Sequence, residues 1–228
     1  MRKMIFFLLL FQAAFGAAQT RTLVIEPTFG KTALQLNTYY RLSKNDSLQI
    51  TNLKFYISNL QFFNDGALVW VEPNAFYLID AADSTRLKRS LKIPNHLTFN
   101  ALQFDLGIDS ITNVAGALGG DLDATKGMYW AWQSGYVNFK LEGRSNLCPT
   151  RKNAFQFHLG GYLTPHNALQ TLYLKGISPN NLTLLFDLQP LFENLDLKTQ
   201  NSIMIPSEET VLLAQKVAKS FKRMMNDK

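Results

Sequence analysis

Gln49-Ile50-Thr51-Asn52-Leu53-Lys54-Phe55-Tyr56-Ile57-Ser58-Asn59-Leu60-Gln61-Phe62-Phe63 is dense in β-branched and aromatic residues, and Asn64-Asp65-Gly66 ends it. Such a run reads as strand, because branched and aromatic side chains pack well on a pleated surface. Asp-Gly readily takes the positive φ values of a type I′ turn, so Leu68 to Val71 is expected to return antiparallel against it. The first run is long enough to bend or to hold two strands.

The same signals recur outward in both directions. Leu23 to Glu26, Leu34 to Leu42, Ala75 to Asp80 and Leu97 to Ile108 read as strands, as do Tyr136 to Glu142, Ala154 to Leu159, Gln170 to Lys175 and Asn181 to Leu188. In Val137-Asn138-Phe139-Lys140-Leu141 the apolar positions fall on one face, as a half-buried strand requires. So many strands cannot bury their faces in one flat layer. The expected fold is mainly β: a two-sheet antiparallel β-sandwich.

Two segments depart from this pattern. Asp109 to Lys126 is poor in large apolar residues and rich in Gly, Asp, Asn and Ala, and reads as a long surface loop of the kind that usually carries function. From Pro206 the spacing becomes helical, with Ser207 as N-cap and Glu208 and Glu209 in the first turn. Thr210, Leu213, Ala214, Val217, Phe221 and Met224 then mark an amphipathic C-terminal helix over about residues 207–225.

Arg2 and Lys3, an apolar run from Met4 to Phe11 and small residues at Gly16-Ala17-Ala18 have the order of a secretory signal, with cleavage expected after Ala18. The apolar run is shorter than the roughly 20 residues a bilayer requires, so no membrane span is expected. Residues 19–228 are expected to form a single domain that is periplasmic or secreted. The formal charge of +6 is concentrated at the ends: outside Arg2, Lys3 and the five basic and one acidic residues from Lys216 onward, 16 basic and 16 acidic residues remain. A nucleic-acid binder needs a clustered basic face, and this body carries no such excess. Cys148 is the only cysteine, so no internal disulfide can form. It reads as a small buried hydrophobe, with a thiolate metal ligand as the alternative.

Enzyme signatures are missing: the chain has no phosphate-binding Gly-rich loop, nucleophile elbow, His-Glu-x-x-His or Cys-x-x-Cys. A non-enzymatic role is expected. Two stretches carry the chemistry that there is. Gly127-Met128-Tyr129-Trp130-Ala131-Trp132-Gln133-Ser134-Gly135-Tyr136 places two of the three tryptophans one residue apart. In an extended chain both indoles share a face, which suits a core, a stacking platform or an oxidisable site. In Phe155-Gln156-Phe157-His158-Leu159-Gly160-Gly161, His158 shares the face opposite the phenylalanines with Gln156. That face is expected to be open, and the two glycines allow close approach. An imidazole among soft donors is a reasonable copper ligand, but one histidine does not make a site.

At these two motifs the chain resembles the MbnP-like family of periplasmic copper-binding proteins, which is related to the methanotroph surface proteins MopE and CorA. The resemblance runs from Asp109-Ser110-Ile111-Thr112-Asn113-Val114 through Gly143, then through Phe157-His158-Leu159-Gly160-Gly161 and Asn167-Ala168-Leu169. Weaker similarity covers Leu53 to Asn59, Tyr77 to Asp80 and Ser202-Ile203-Met204. It implies a β-rich domain that binds copper through histidines and, in some members, a tryptophan oxidised to kynurenine by a di-haem enzyme of the MauG type. Carried over by position, His158 matches the ligand-type histidine and Trp130 and Trp132 match the tryptophan motif of the metal site; His166 or a methionine is the further donor that a reduced set would call on. Where many relatives have histidines, this chain has Leu23-Val24-Ile25-Glu26-Pro27 and Leu184-Leu185-Phe186-Asp187-Leu188. The resemblance thus implies a kept scaffold and a reduced ligand set. A non-metal binding or interaction module on the same scaffold is the alternative.

Overall fold

The computed structural model describes residues 18–223. The strands in chain order are β1 (Ala18–Phe29), β2 (Thr32–Ala33), β3 (Tyr39–Arg41), β4 (Ser47–Asn64), β5 (Ala67–Val71), β6 (Phe76–Asp80), β7 (Lys88–Pro94) and β8 (Ala101–Leu106). They continue as β9 (Tyr129–Trp130), β10 (Gly135–Ser145), β11 (Ala154–Gly160), β12 (Gln170–Lys175), β13 (Thr183–Asp187), β14 (Ser202–Ile203) and β15 (Phe221–Arg223). The α-helices are α1 (Ser110–Val114), α2 (Gln189–Glu193) and α3 (Glu208–Ala218). No helix among the described residues is long and apolar enough to cross a membrane. The expected signal segment lies outside the described residues, apart from Ala18.

The larger sheet has the order β12-β8-β4-β10-β11-β14, with β3, β5 and β6 also pairing with β4 and β9 with β10. The smaller runs β15-β13-β1-β2, with β7 on β1. This is the two-sheet, mainly β architecture that the sequence predicts. Its ladders are antiparallel except β1–β13 and β11–β14, which run parallel.

Strand β4 organises the larger sheet by changing partners along its length: β10 beside its first half, β6 near the middle, β8 and β5 beyond. Leu53, Phe55 and Ile57 face the main core at odd positions, whereas Leu60 and Phe62 face it at even ones. The switch occurs at Asn59, whose φ of 50° and the local register shift insert a bulge. Asp65 and Gly66 take φ values of 48° and 85°, as the type I′ hairpin demands.

The C-terminal helix ends earlier than its periodicity predicts. Ser207 Oγ accepts the Thr210 amide and the helix runs to Ala218, after which Phe221 enters a strand instead of continuing the apolar stripe. Its ring stacks on Phe186 at 4.4 Å and meets Phe55 and Phe104 edge-on. Burial between the sheets, with a new ladder to β13, outweighs another helical turn at the surface. Met224 lies outside the described residues. The expected strand at Leu34 to Leu42 is broken at Asn37, which has a φ of 63°.

The 109–126 loop packs against the outer face of the larger sheet. Asp109 caps α1 through the Thr112 amide at 2.8 Å. The Tyr136 hydroxyl accepts from the Leu118 amide at 2.9 Å and donates to the Leu122 carbonyl at 3.0 Å. Asp121 receives Arg86 Nη1 at 2.8 Å, Arg89 Nη2 at 2.9 Å, Lys126 Nζ at 3.0 Å and the Leu78 amide at 3.0 Å. Burial alone would raise this carboxyl, but the bonds from Arg86 and Lys126 and the charge of Arg89 hold it below the usual carboxylate range. Under the loop a second small core gathers Tyr56, Leu122, Met128, Trp130 and Tyr136.

Candidate functional site

Phe155 and Phe157 are fully buried in the main core, so alternation turns His158 to the opposite face of β11. Sequence reasoning expects that face to be open, and here the structure corrects it. Gln156 is exposed, but His158 is only 8% exposed. Its neighbours on β10 are Lys140, directly opposite, and Glu142, two pairs along on the same face, opposite Gln156. His158 Nε2 lies 2.7 Å from Glu142 Oε1, and Asn52 on β4 donates to Glu142 Oε2 at 2.9 Å. Lys140 Nζ is 3.8 Å from the same carboxylate. The His158 bond, above all, holds the Glu142 carboxyl down to about 2, against the opposing effect of burial.

Gly160, two residues beyond His158, presents the same face. A Cβ there would lie 2.7 Å from Trp130 Cζ3 and 2.7 Å from the Tyr136 carbonyl oxygen. The indole of Trp130 therefore occupies the space that this glycine vacates, and it is 7% exposed. Extended backbone is not what joins the tryptophans. β9 ends at Trp130, and residues 131–134 form a turn with Ser134 at a φ of 50°. The turn brings Trp132 back to a ring-centroid distance of 5.4 Å from Trp130, yet leaves it 63% exposed.

Trp132 forms one wall of a cleft of about 540 Å³, with Tyr162, Leu163, His166 and Pro206 among the other lining residues. Gly161 makes this possible: at a φ of 117°, a Cβ would collide with the His166 carbonyl oxygen at 2.4 Å and with Pro206. The chain folds back over Gly161, and the Ala168 amide closes the loop on the Gly161 carbonyl at 3.0 Å. Trp130, Trp132 and His166 thus gather at one end of the larger sheet, beside the strand bearing His158.

The other candidates do not join them. His96 sits exposed in the turn after β7. Cys148 is 1% exposed in the main core, and burial pushes its thiol up, which fits the small buried hydrophobe and removes the thiolate alternative. Among the described residues, no group of three or more His, Cys, Asp or Glu side chains is placed to hold a metal ion. Sequence reasoning missed Glu142, Asn52 and Tyr162. Glu142 was legible as a polar position on β10 whose neighbours alternate into the core, but its pairing with His158 needed the register.

The fold and this end of the sheet define a β-sandwich protein with an aromatic cleft that His166 helps to line. The chain belongs to the MbnP family, whose model matches residues 18–205. The solved structure of MbnP from Methylosinus trichosporium is similar in fold, with a TM-score of 0.65 at 14% identity over 86% of this chain and 87% of that one. No protein of curated function matches the chain.

Proposed function

We propose that this MbnP-family protein handles copper outside the cytoplasm and, having no catalytic turnover of its own, holds the ion transiently in an open site. The observation that carries the reading is the meeting of Trp132 and His166 in one cleft, with the buried Trp130 indole 5.4 Å behind Trp132, at the end of the His158 strand. Imidazole nitrogen and indole faces suit a soft cation better than a hard one. These residues fit copper as an open, exchangeable site. They do not fit a closed site, because among the described residues no group of three or more His, Cys, Asp or Glu side chains is placed to hold an ion.

His166 and His158 would supply nitrogen, and Trp132 would shield the ion from water while leaving one side open to a donor or acceptor of copper. Bound there, copper would supply a polarisable, redox-active centre. A di-haem enzyme of the MauG type acting on this site would reach Trp132 and not Trp130, given their exposures of 63% and 7%.

Anaerobic Cu(I) titration against a chromogenic chelator tests the proposal. The wild type should compete, and His166→Ala and Trp132→Ala should each weaken binding about tenfold or more, the scale for losing a donor or its support. A wild type that never competes removes it. The 63% exposed Trp132 also favours a second reading, an aromatic platform for a non-metal ligand such as a glycan. Glycan binding abolished in Trp132→Ala, in a protein that ignores copper, would establish that reading instead.

A further inference from the structure

We propose that Glu142 is a positioning residue that fixes His158 in the tautomer protonated on Nε2 and so makes Nδ1 its donor nitrogen. This rests on the reading of His158 as a ligand; the arrangement itself is visible without any metal. An ionised carboxylate only accepts hydrogen bonds, so at 2.7 Å the shared proton resides on His158 Nε2. A neutral imidazole with Nε2 protonated carries its lone pair on Nδ1. Among the described residues, Nδ1 makes no hydrogen bond to another protein group and is not sealed from solvent, so that lone pair is open to an incoming ligand.

The carboxylate is itself held in place. Asn52, Glu142 and His158 stand on β4, β10 and β11, three neighbouring strands of the larger sheet. Asn52 occupies Oε2, Lys140 lies on the Oε1 side and His158 takes Oε1. The imidazole side chain is 10% exposed and the carboxylate 24%, so water competes weakly for either. A fixed ladder thus orients the carboxylate, which orients the ring. Carboxylate–histidine pairs of this kind commonly stand behind metal-binding imidazoles.

The test begins without metal. Long-range proton–nitrogen correlation on histidine-labelled wild-type protein at neutral pH should show His158 Nε2 protonated and Nδ1 bare. A protonated Nδ1 overturns the proposal. In Glu142→Gln the spectrum should show both tautomers in exchange, and in Glu142→Asp the wild-type pattern should partly return. Cu(I) competition then separates this inference from the function it deepens. The proposal expects Glu142→Gln to bind about 10- to 100-fold more weakly. Wild-type copper binding that Glu142→Gln leaves unchanged overturns the positioning role while the copper reading stands. The expected tautomer in a protein that binds no copper overturns the copper reading and leaves the tautomer lock standing.

Discussion

Replacing Gly160 by alanine adds one methyl group to the strand that carries His158, at a point where the structure leaves no room for it. The new Cβ would lie 2.7 Å from Trp130 Cζ3 and 3.1 Å from Cη2. It would also lie 2.7 Å from the Tyr136 carbonyl oxygen, which cannot retreat freely because β10 and β11 pair at Val137–Gly160. The indole must therefore tilt out of its seat. Overpacking of this kind costs about 1–3 kcal/mol, and removing a glycine from the unfolded chain returns about 0.4–1. The net loss should be about 1–2 kcal/mol, a fall in Tm of roughly 2–8 °C for a domain of this size. Because Trp130 and Trp132 lie 5.4 Å apart, the near-ultraviolet circular dichroism of the coupled indoles should change with it. Gly119→Ala is the control: φ is −94° and no atom lies within 4 Å of the added Cβ, so stability should stay within about 0.5 kcal/mol. A Gly160→Ala protein that melts like the wild type with an unaltered indole signal would show that Trp130 does not rest on this glycine.

Phe221→Ala should destabilise by about 3–5 kcal/mol in chemical denaturation, because its ring is locked among Phe186, Phe55 and Phe104. Leu212→Ala, on the outward side of α3 and 51% exposed, should cost well under half of that; equal losses would contradict the strand placement of Phe221. Asp121→Ala removes the shared acceptor of Arg86, Arg89 and Lys126, and should cost about 1–3 kcal/mol while opening residues 115–127 to limited proteolysis. Unchanged cleavage kinetics would mean that the clasp does not hold the loop. Glu142 titrates lower in the folded protein, at about 2 against 4.5, so its contribution is present above about pH 4.5 and is lost as pH falls toward 2. Tm should decline across that window, and Glu142→Gln should flatten the decline; parallel curves for the two proteins would refute the assignment.

Most strands of the sandwich were legible because local chemistry and tertiary context agree there. The Asp65-Gly66 turn and the alternation of β10 leave little choice of conformation. β7 was readable in principle, since Leu91 and Ile93 alternate with Ser90 and Lys92 and are fully buried, but its basic residues disguise it. Phe221 was misplaced because helical spacing and burial in a remote cleft between sheets compete at that residue, and only the second is invisible locally. His158 illustrates the same gap. Alternation gives its face correctly, but whether that face is open depends on what packs over it and on the β10–β11 register, neither of which a single strand encodes.

The Gly160-Gly161 pair connects sequence to site more directly than the histidine it follows. The two glycines do different physical work. Gly160 keeps ordinary strand geometry and yields its side-chain volume to Trp130, which seats the indole pair on the sheet. Gly161 supplies a φ of 117° that an L side chain rarely adopts, letting the following loop return close enough for the His166 backbone and Pro206 to touch it. One dipeptide thereby brings β9, the His166 loop and the lead into α3 to the end of the strand that bears His158. A histidine grafted onto another outward position of this sheet would keep its imidazole and lose all of these neighbours. The chemistry of this end of the molecule therefore rests as much on two absent side chains as on the aromatic and basic ones that surround them.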